Sequence, residues 1–346
     1  MMRSAKRILK GAIVAFAYRT GLLQLYLRRK LRGRALVLTY HRVLPPEASA
    51  ESFSTDAIVV SPETFRRQMR LLRRLFTPLS ADEFARALSA GQLPANACVV
   101  TFDDGWYDNL DYALPILRET SVPAVLFVAT DYIGTDNCFW QERLSRALSA
   151  ARRIPERSRT LFAEIGAAHV LDDSLTPAQA KLAIRAIIDR YKAQPQSQID
   201  ALVAKVEGLL RDQGVATDRQ HPDRFLTWDQ VKALDQSGLV AIGSHCCTHT
   251  PLTKLDATAV EAELQRSRAV IRERIGVDPN DLAYPNGDHD AQIAQAVKAN
   301  GYRCAYTTNR GLVEPASDAF RLRRINIHEQ STASDAAFMS RLAGLF

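Results

Sequence analysis

Cysteine is scarce in this 346-residue chain and follows no pattern. The five residues, Cys98, Cys138, Cys246, Cys247 and Cys304, are an odd number with no C-x-x-C spacing. That argues against a disulfide framework and favours a reducing compartment. Low-complexity tracts and fixed-period repeats are also missing, so disorder and a solenoid are poor readings. No G-x-G-x-x-G or phosphate-loop pattern follows the first predicted strand, which removes the signature of a nucleotide-binding sheet. With 47% apolar and 24% charged residues the chain has the balance of a globular protein. It is long enough for one large domain with an insertion, or for two domains.

Aspartate and glutamate are absent from residues 1–34, which hold ten Lys or Arg. The remainder carries 35 basic and 38 acidic residues, so the net charge of +7 belongs to this arm and the body is mildly acidic. A nucleic-acid binder is a poor fit to that distribution. The arm also holds apolar side chains: Ile13, Val14, Phe16, Ala17, Leu22, Leu23, Leu25, Tyr26 and Leu27. Lys10 and Arg19 bound an apolar stretch of eight residues, against about 20 for a spanning helix. Ala15-Phe16-Ala17 mimics a cleavage site, but Lys10 interrupts the apolar region and basic residues continue beyond Ala17. The arm is therefore expected to be a basic amphipathic helix lying on an anionic membrane face. The expected location is the cytoplasmic side of the inner membrane, with a periplasmic enzyme as the variant.

From Ala35 onward, strand and helix patterns alternate. "ALVLTYHRV", "ACVVTF", "PAVLFVA", "LVAIGSH", "LAYP", "YRCAYTT" and "RLRRINIH" are predicted as strands, several reading as continuous apolar runs. Between them lie helical segments with start and stop signals, such as "SPETFRRQMRLLRRL" and "DATAVEAELQRSRAVIRERIG". The class is α/β with a mainly parallel sheet, and the number of units suggests a barrel, open or incomplete. Residues 141–221 are predicted to be helical throughout, an insertion into one loop that is either a cap, a partner surface or decoration.

In such folds reactive groups sit at the carboxyl ends of strands. The predicted strands deliver Tyr40 and His41, Asp103 and Asp104, His245 and His249, then Tyr284, Asn286 and Asp288, and last His328. Two imidazoles four residues apart, with one carboxylate, form a common open set for a divalent metal. A cation also explains two adjacent aspartates: one ligates it and its charge relieves their repulsion. The other remains a base for an attacking water, and His328 suits protonation of a leaving amine.

At "TFDDG", "SHCCTH", "AYPNG" and "INIH", in that order, the sequence resembles the polysaccharide deacetylase family, carbohydrate esterase family four. The resemblance covers about residues 34 to 329. It implies a deformed (β/α)7 barrel with a helical insertion, and metal-dependent removal of an N-acetyl or N-formyl group from an amino sugar. The substrate would be a cell-surface glycan or its lipid-linked precursor, and the metal Zn2+ by default. By motif, Asp103 is the implied base and His328 the implied acid, with Asp104, His245 and His249 as metal ligands. The backbone around Tyr284, Pro285 and Asn286 is the implied oxyanion wall. Trp106 and His41 complete the expected substrate contacts, and Tyr107, Trp140 and Trp228 are further aromatic candidates. A non-catalytic carbohydrate-binding protein is the alternative.

Two positions depart from the family pattern. Ala283 stands where an Arg often tunes the catalytic Asp, leaving Arg323 or Arg324 as substitutes. Cys246 follows the first ligand histidine in place of Ser or Thr, and is expected to pack rather than ligate.

Overall fold

The computed structural model describes residues 2–216 and 222–345, and side chains from Lys10 onward. Met1 of the arm and residues 217–221 of the predicted insertion lie outside the described residues.

Seven strands form the barrel: β1 (Ala35–Tyr40), β2 (Ala97–Phe102), β3 (Ala124–Val128), β4 (Val240–Ser244), β5 (Asp281–Ala283), β6 (Cys304–Arg310) and β7 (Leu322–Asn326). Every pairing among them is parallel. β1 lies between β2 and β7, so the sheet closes on itself. The sequence had left that closure open; the double pairing of β1 settles it. β1, β2 and β3 are buried along their whole length, as expected of parallel strands covered on both faces. A short strand, Thr77–Pro78, runs beside the first residues of β2, while β3 takes that edge further on.

The helices between strands start and stop where their sequences predict. Ser61 caps Pro62–Leu75 by accepting from the Thr64 amide, and Asp256 caps Ala257–Ile275 in the same way. That helix ends at Gly276, whose φ of 76° is the left-handed conformation that glycine adopts without a Cβ penalty. The segment after the paired aspartates differs from expectation. It opens with a π-helical turn, Asn109–Ala113, before the α-helix Leu114–Thr120. Pro115 has no N–H to return to the Asp111 carbonyl, which breaks the regular ladder at that junction.

The arm forms two helices, α1 (Met2–Arg19) and α2 (Leu22–Lys30). They pack against the C-terminal helix, Asp335–Ala343. Val14, Leu23, Leu27 and Leu31 are buried there. The Tyr18 hydroxyl donates to Asp335 (3.0 Å) and Lys30 Nζ donates to the Ala343 carbonyl (2.7 Å).

A second compact unit comprises Asp136–Arg224 together with Ala48–Ser54. Its helices, Trp140–Ala151, Pro155–Glu164, Pro177–Tyr191 and Gln196–Asp212, enclose their own core of residues such as Leu148, Phe162, Ile184 and Val206. The contribution of Ala48–Ser54 has no signature in the sequence. It is fastened by the buried Asp223 carboxylate, which accepts from the Ser52 hydroxyl (2.5 Å) and the Phe53 amide (2.7 Å).

Candidate active site

The carboxyl end of the barrel gathers side chains from strands far apart in sequence. Asp103 and Asp104 follow β2, and His245 and His249 lie on the turn after β4. Asp104, Cys246, His249 and Asn286 all have positive φ, at 80°, 61°, 58° and 58°. Non-glycine residues rarely adopt that region, and where they do the surrounding fold holds them against strain. Here the strain lies at the rim that carries the polar cluster.

Asp104 Oδ1 is 3.5 Å from His245 Nε2 and 3.4 Å from His249 Nε2. One donor atom from each of the three residues lies within 4.8 Å of the others, a spacing that can hold a metal ion. The orientation of each side chain fits that use. His245 Nδ1 contacts the Ala283 carbonyl at 2.7 Å. Nδ1–H therefore donates to that carbonyl and Nε2 faces the cluster. Burial alone would lower the His245 imidazole, but Asp104 and Asp103 outweigh it and raise the group above its ordinary value. The Trp106 indole N–H donates to Asp104 Oδ2 at 2.8 Å, leaving Oδ1 toward the histidines. Burial pushes the His249 imidazole down to about 4, so at neutral pH it is in the uncharged form that ligates. Burial alone would raise the Asp104 carboxyl, but His245, His41 and His249 outweigh it and hold the group far below the usual carboxylate range.

Asp103 is buried and held by Arg324. The guanidinium donates to Oδ1 at 2.8 Å and to Oδ2 at 2.7 Å. Arg324 is itself fixed by the Thr307 carbonyl (2.8 Å) and the Thr101 hydroxyl (3.1 Å). Burial raises the Asp103 carboxyl, and Arg324 with His245 more than offsets this, so the group lies below its ordinary value and is ionised. Of the two substitutes considered for the Arg missing at Ala283, the structure selects Arg324. Arg323 points outward and is exposed. His41 Nε2 stands 3.8 Å from Asp103 Oδ2.

Groups behind the cluster hold it in place. The Glu263 carboxylate accepts from the Cys247 and Thr248 amides, at 2.7 and 3.2 Å, and so fixes the turn between the two histidines. Arg42 lies over the Trp106 ring at 4.2 Å and forms a fully buried pair with Asp108 (2.9 Å). The sequence reading missed Glu263, Arg42 and Asp108. Arg42 and Asp108 were visible as neighbours of His41 and of the Asp-Asp-Gly turn; Glu263, on a helix face, carried no signal.

Several expected roles change. Trp106 was expected to stack on a sugar, yet it is fully buried, stacked against Phe225 at 4.2 Å and under Arg42. It offers no face to a ligand. The Tyr284 amide donates to the Tyr306 carbonyl (3.0 Å) and its hydroxyl to the Phe320 carbonyl (2.9 Å), so neither is free for an oxyanion. Pro285 has no N–H, which leaves Asn286 as the member of that trio with an amide to offer. Cys246 is fully buried among Leu252, Leu264 and Tyr284, and lies outside the donor cluster. Trp140 packs on the core of the helical unit. Trp228 starts the helix Trp228–Asp235, which Thr227 caps. Tyr107 is buried. His328 follows β7 and precedes the helix Glu329–Thr332. Its Nδ1 has no hydrogen-bond partner, and it makes no hydrogen bond to the aspartates or the paired histidines. Burial, then Arg341, holds its imidazole below the ordinary value.

Residues 90–305, more than half of the chain, match the polysaccharide deacetylase family model. The chain belongs to that family, whose members are hydrolytic deacetylases acting on carbon–nitrogen bonds. Among curated proteins it is similar to the poly-β-1,6-N-acetyl-D-glucosamine N-deacetylase of Staphylococcus epidermidis, 27% identical over 114 residues. That match covers 31% of this chain and 39% of the relative. The chain spans less than half the length of the curated relatives it matches. Among solved structures it is similar to the Streptococcus pyogenes deacetylase PplD in complex with acetate (TM-score 0.55, 20% identical, 86% of this chain and 94% of that one). It is also similar to IcaB from Ammonifex degensii (TM-score 0.56, 18% identical, 89% and 97%). These structural likenesses establish the barrel fold.

Proposed function

We propose that the chain is a metal-dependent hydrolase that removes an N-acetyl or N-formyl group from an amino sugar of a cell-surface glycan or its lipid-linked precursor. One observation carries this reading. The Asp104, His245 and His249 donor atoms lie within 4.8 Å of one another, while the neighbouring Asp103 is gripped by Arg324 and stays out of the set. Two adjacent aspartates thereby receive different partners and different work.

Asp104, His245 and His249 would hold a divalent metal, with Zn2+ the natural match to two imidazoles and a carboxylate. Such an ion supplies a water that ionises more easily and polarises the amide carbonyl. Asp103, ionised and fixed by Arg324, takes the proton of the attacking water as its oxygen bonds to the acyl carbon. The Asn286 amide is the donor we assign to the developing oxyanion. The carbon–nitrogen bond then breaks, releasing acetate or formate and a free amino sugar. His328, on the rim at the end of β7, is assigned to protonate the leaving nitrogen in its charged form, which burial and Arg341 make the minor one at neutral pH. His41 is assigned to a substrate contact beside Asp103. The named activity of the S. epidermidis relative supports an N-acetylated hexosamine as the substrate class. The five free cysteines support work in a reducing compartment, at the cytoplasmic side of the inner membrane.

Acetate release from N-acetylated amino-sugar oligomers tests this reading. Release that stops on chelation and returns with added Zn2+ supports it. No release from any acetylated or formylated substrate, with the metal bound, would leave a carbohydrate-binding protein on the same fold.

A further inference from the structure

The arm has one face spoken for and one face bare. Val14 of α1 and Leu23 and Leu27 of α2 are buried, and Tyr18 and Lys30 are tied to the C-terminal helix. The opposite side carries Ile13 and Phe16 on α1, three apart, and Leu22, Leu25 and Tyr26 on α2, at spacings of three and four. Among the described residues, these five account for most of the seven exposed large hydrophobic side chains. Single exposed apolar residues need no explanation, but a cluster rimmed by charge does. Helical spacing places each set on one side of its helix. Packing on the C-terminal helix uses the other side and leaves these five side chains exposed.

The charge around the patch names its occupant. Residues 1–34 contain ten basic and no acidic residues, whereas the rest of the chain has an acidic excess of three. Arg19, Arg28, Arg29 and Arg32 are exposed beside the apolar side chains. Two arms facing each other would bring like charge against like charge. An anionic bilayer supplies both halves of the match: acyl chains for Phe16, Leu22 and Leu25, phosphates for the arginines. No described helix is long and apolar enough to cross a membrane, which leaves the in-plane arrangement.

We propose that α1 and α2 dock the protein on an anionic lipid surface, with Ile13, Phe16, Leu22, Leu25 and Tyr26 entering the interface and the flanking arginines reaching the headgroups. This goes beyond the reaction assigned to the barrel rim and does not depend on it. It gives the sequence-derived expectation of membrane contact a defined face and a defined base.

Co-sedimentation of the full chain with vesicles tests it. One set is phosphatidylcholine alone; the other adds phosphatidylglycerol. The wild type should pellet with the mixed vesicles and remain in solution with the neutral ones, and rising salt should release it. Phe16→Ser with Leu25→Ser should weaken binding about tenfold or more. Arg28→Gln, Arg29→Gln and Arg32→Gln should each weaken it about fivefold. None of these side chains is buried, so thermal unfolding should be unchanged and confirms that each variant is folded. Equal recovery with and without anionic vesicles overturns the proposal, as does binding that these variants leave intact. A concentration-dependent dimer that Phe16→Ser with Leu25→Ser dissolves, without vesicle binding, also overturns it and assigns the face to a second copy.

Discussion

Arg324 reaches Asp103 from a strand that is not its neighbour: β7 and β2 are separated by β1, and the two side chains meet with paired contacts of 2.8 and 2.7 Å. This buried, bidentate pair fixes the angle of a carboxylate and keeps it ionised. Complete removal of the guanidinium would leave Asp103 buried and unpaired, at about 3–5 kcal/mol of stability. Arg324→Lys keeps the charge and loses the fork. It should lower kcat roughly 10–100-fold while KM stays within about twofold, the signature of a lost transition-state interaction. Steady-state kinetics on an N-acetylated oligomer measure both. A rise in KM alone would place Arg324 in substrate binding.

Trp106 holds Asp104, a ligand in the proposed metal set, and offers no face to a sugar. Trp106→Phe retains the stacking on Phe225 but removes the N–H that reaches Asp104. Metal affinity, read by titration of the apoprotein, should fall about 10–100-fold. KM at saturating metal should not change. The opposite pattern would restore the expected sugar contact.

Glu263 offers an independent test of how the histidine turn is held. Glu263→Gln keeps the shape but weakens both contacts to the Cys247 and Thr248 amides. Hydrogen bonds to a charged acceptor contribute about 1.5–3 kcal/mol. Metal affinity should therefore drop about tenfold with Asp103 undisturbed. Unchanged metal binding would show that the turn holds its strained conformation without the carboxylate.

Far from the rim, Asp278 accepts from Arg268 and Arg272, and the Arg268 contact leads in drawing its carboxyl down to about 2. Its folded-state value lies below that of the unfolded chain, so the pair stabilises at neutral pH and the contribution is lost as the pH falls below about 4. The group is 39% exposed, so solvent screening limits its worth to about 1 kcal/mol or less. Asp278→Asn should lower the urea midpoint at pH 7, and the gap to wild type should close toward pH 2. A gap that persists in acid would mean that packing, not charge, is lost.

The strand ends were legible because strand type and reactive side chains coincide in single short motifs. Asp103, Asp104, His245 and His249 sit beside long apolar runs, and parallel topology brings all such ends to one rim. The choice between Arg323 and Arg324 was not legible. It depends on which face of β7 points inward, and a shift of one residue exchanges the two. The burial of Trp106 was not legible for another reason. Its partners Phe225 and Arg42 are distant in the chain, and exposure follows from those contacts, not from the motif. The Tyr284 amide is lost from the oxyanion wall because pairing with β6 continues past Ala283, which no residue pattern there marks. His328 was placed by motif at the correct strand end, but its lack of a hydrogen bond to the cluster is a matter of side-chain direction.

In the proposed function two adjacent aspartates divide the work, Asp104 holding the metal and Asp103 serving as base. Asp103→Asn separates the two most directly, in a paired measurement of metal binding by titration and acetate release from an N-acetylated oligomer. Zn2+ should bind within about threefold of wild type while turnover falls by a factor on the order of a thousand. Turnover retained in Asp103→Asn, or metal binding lost together with activity, would contradict it.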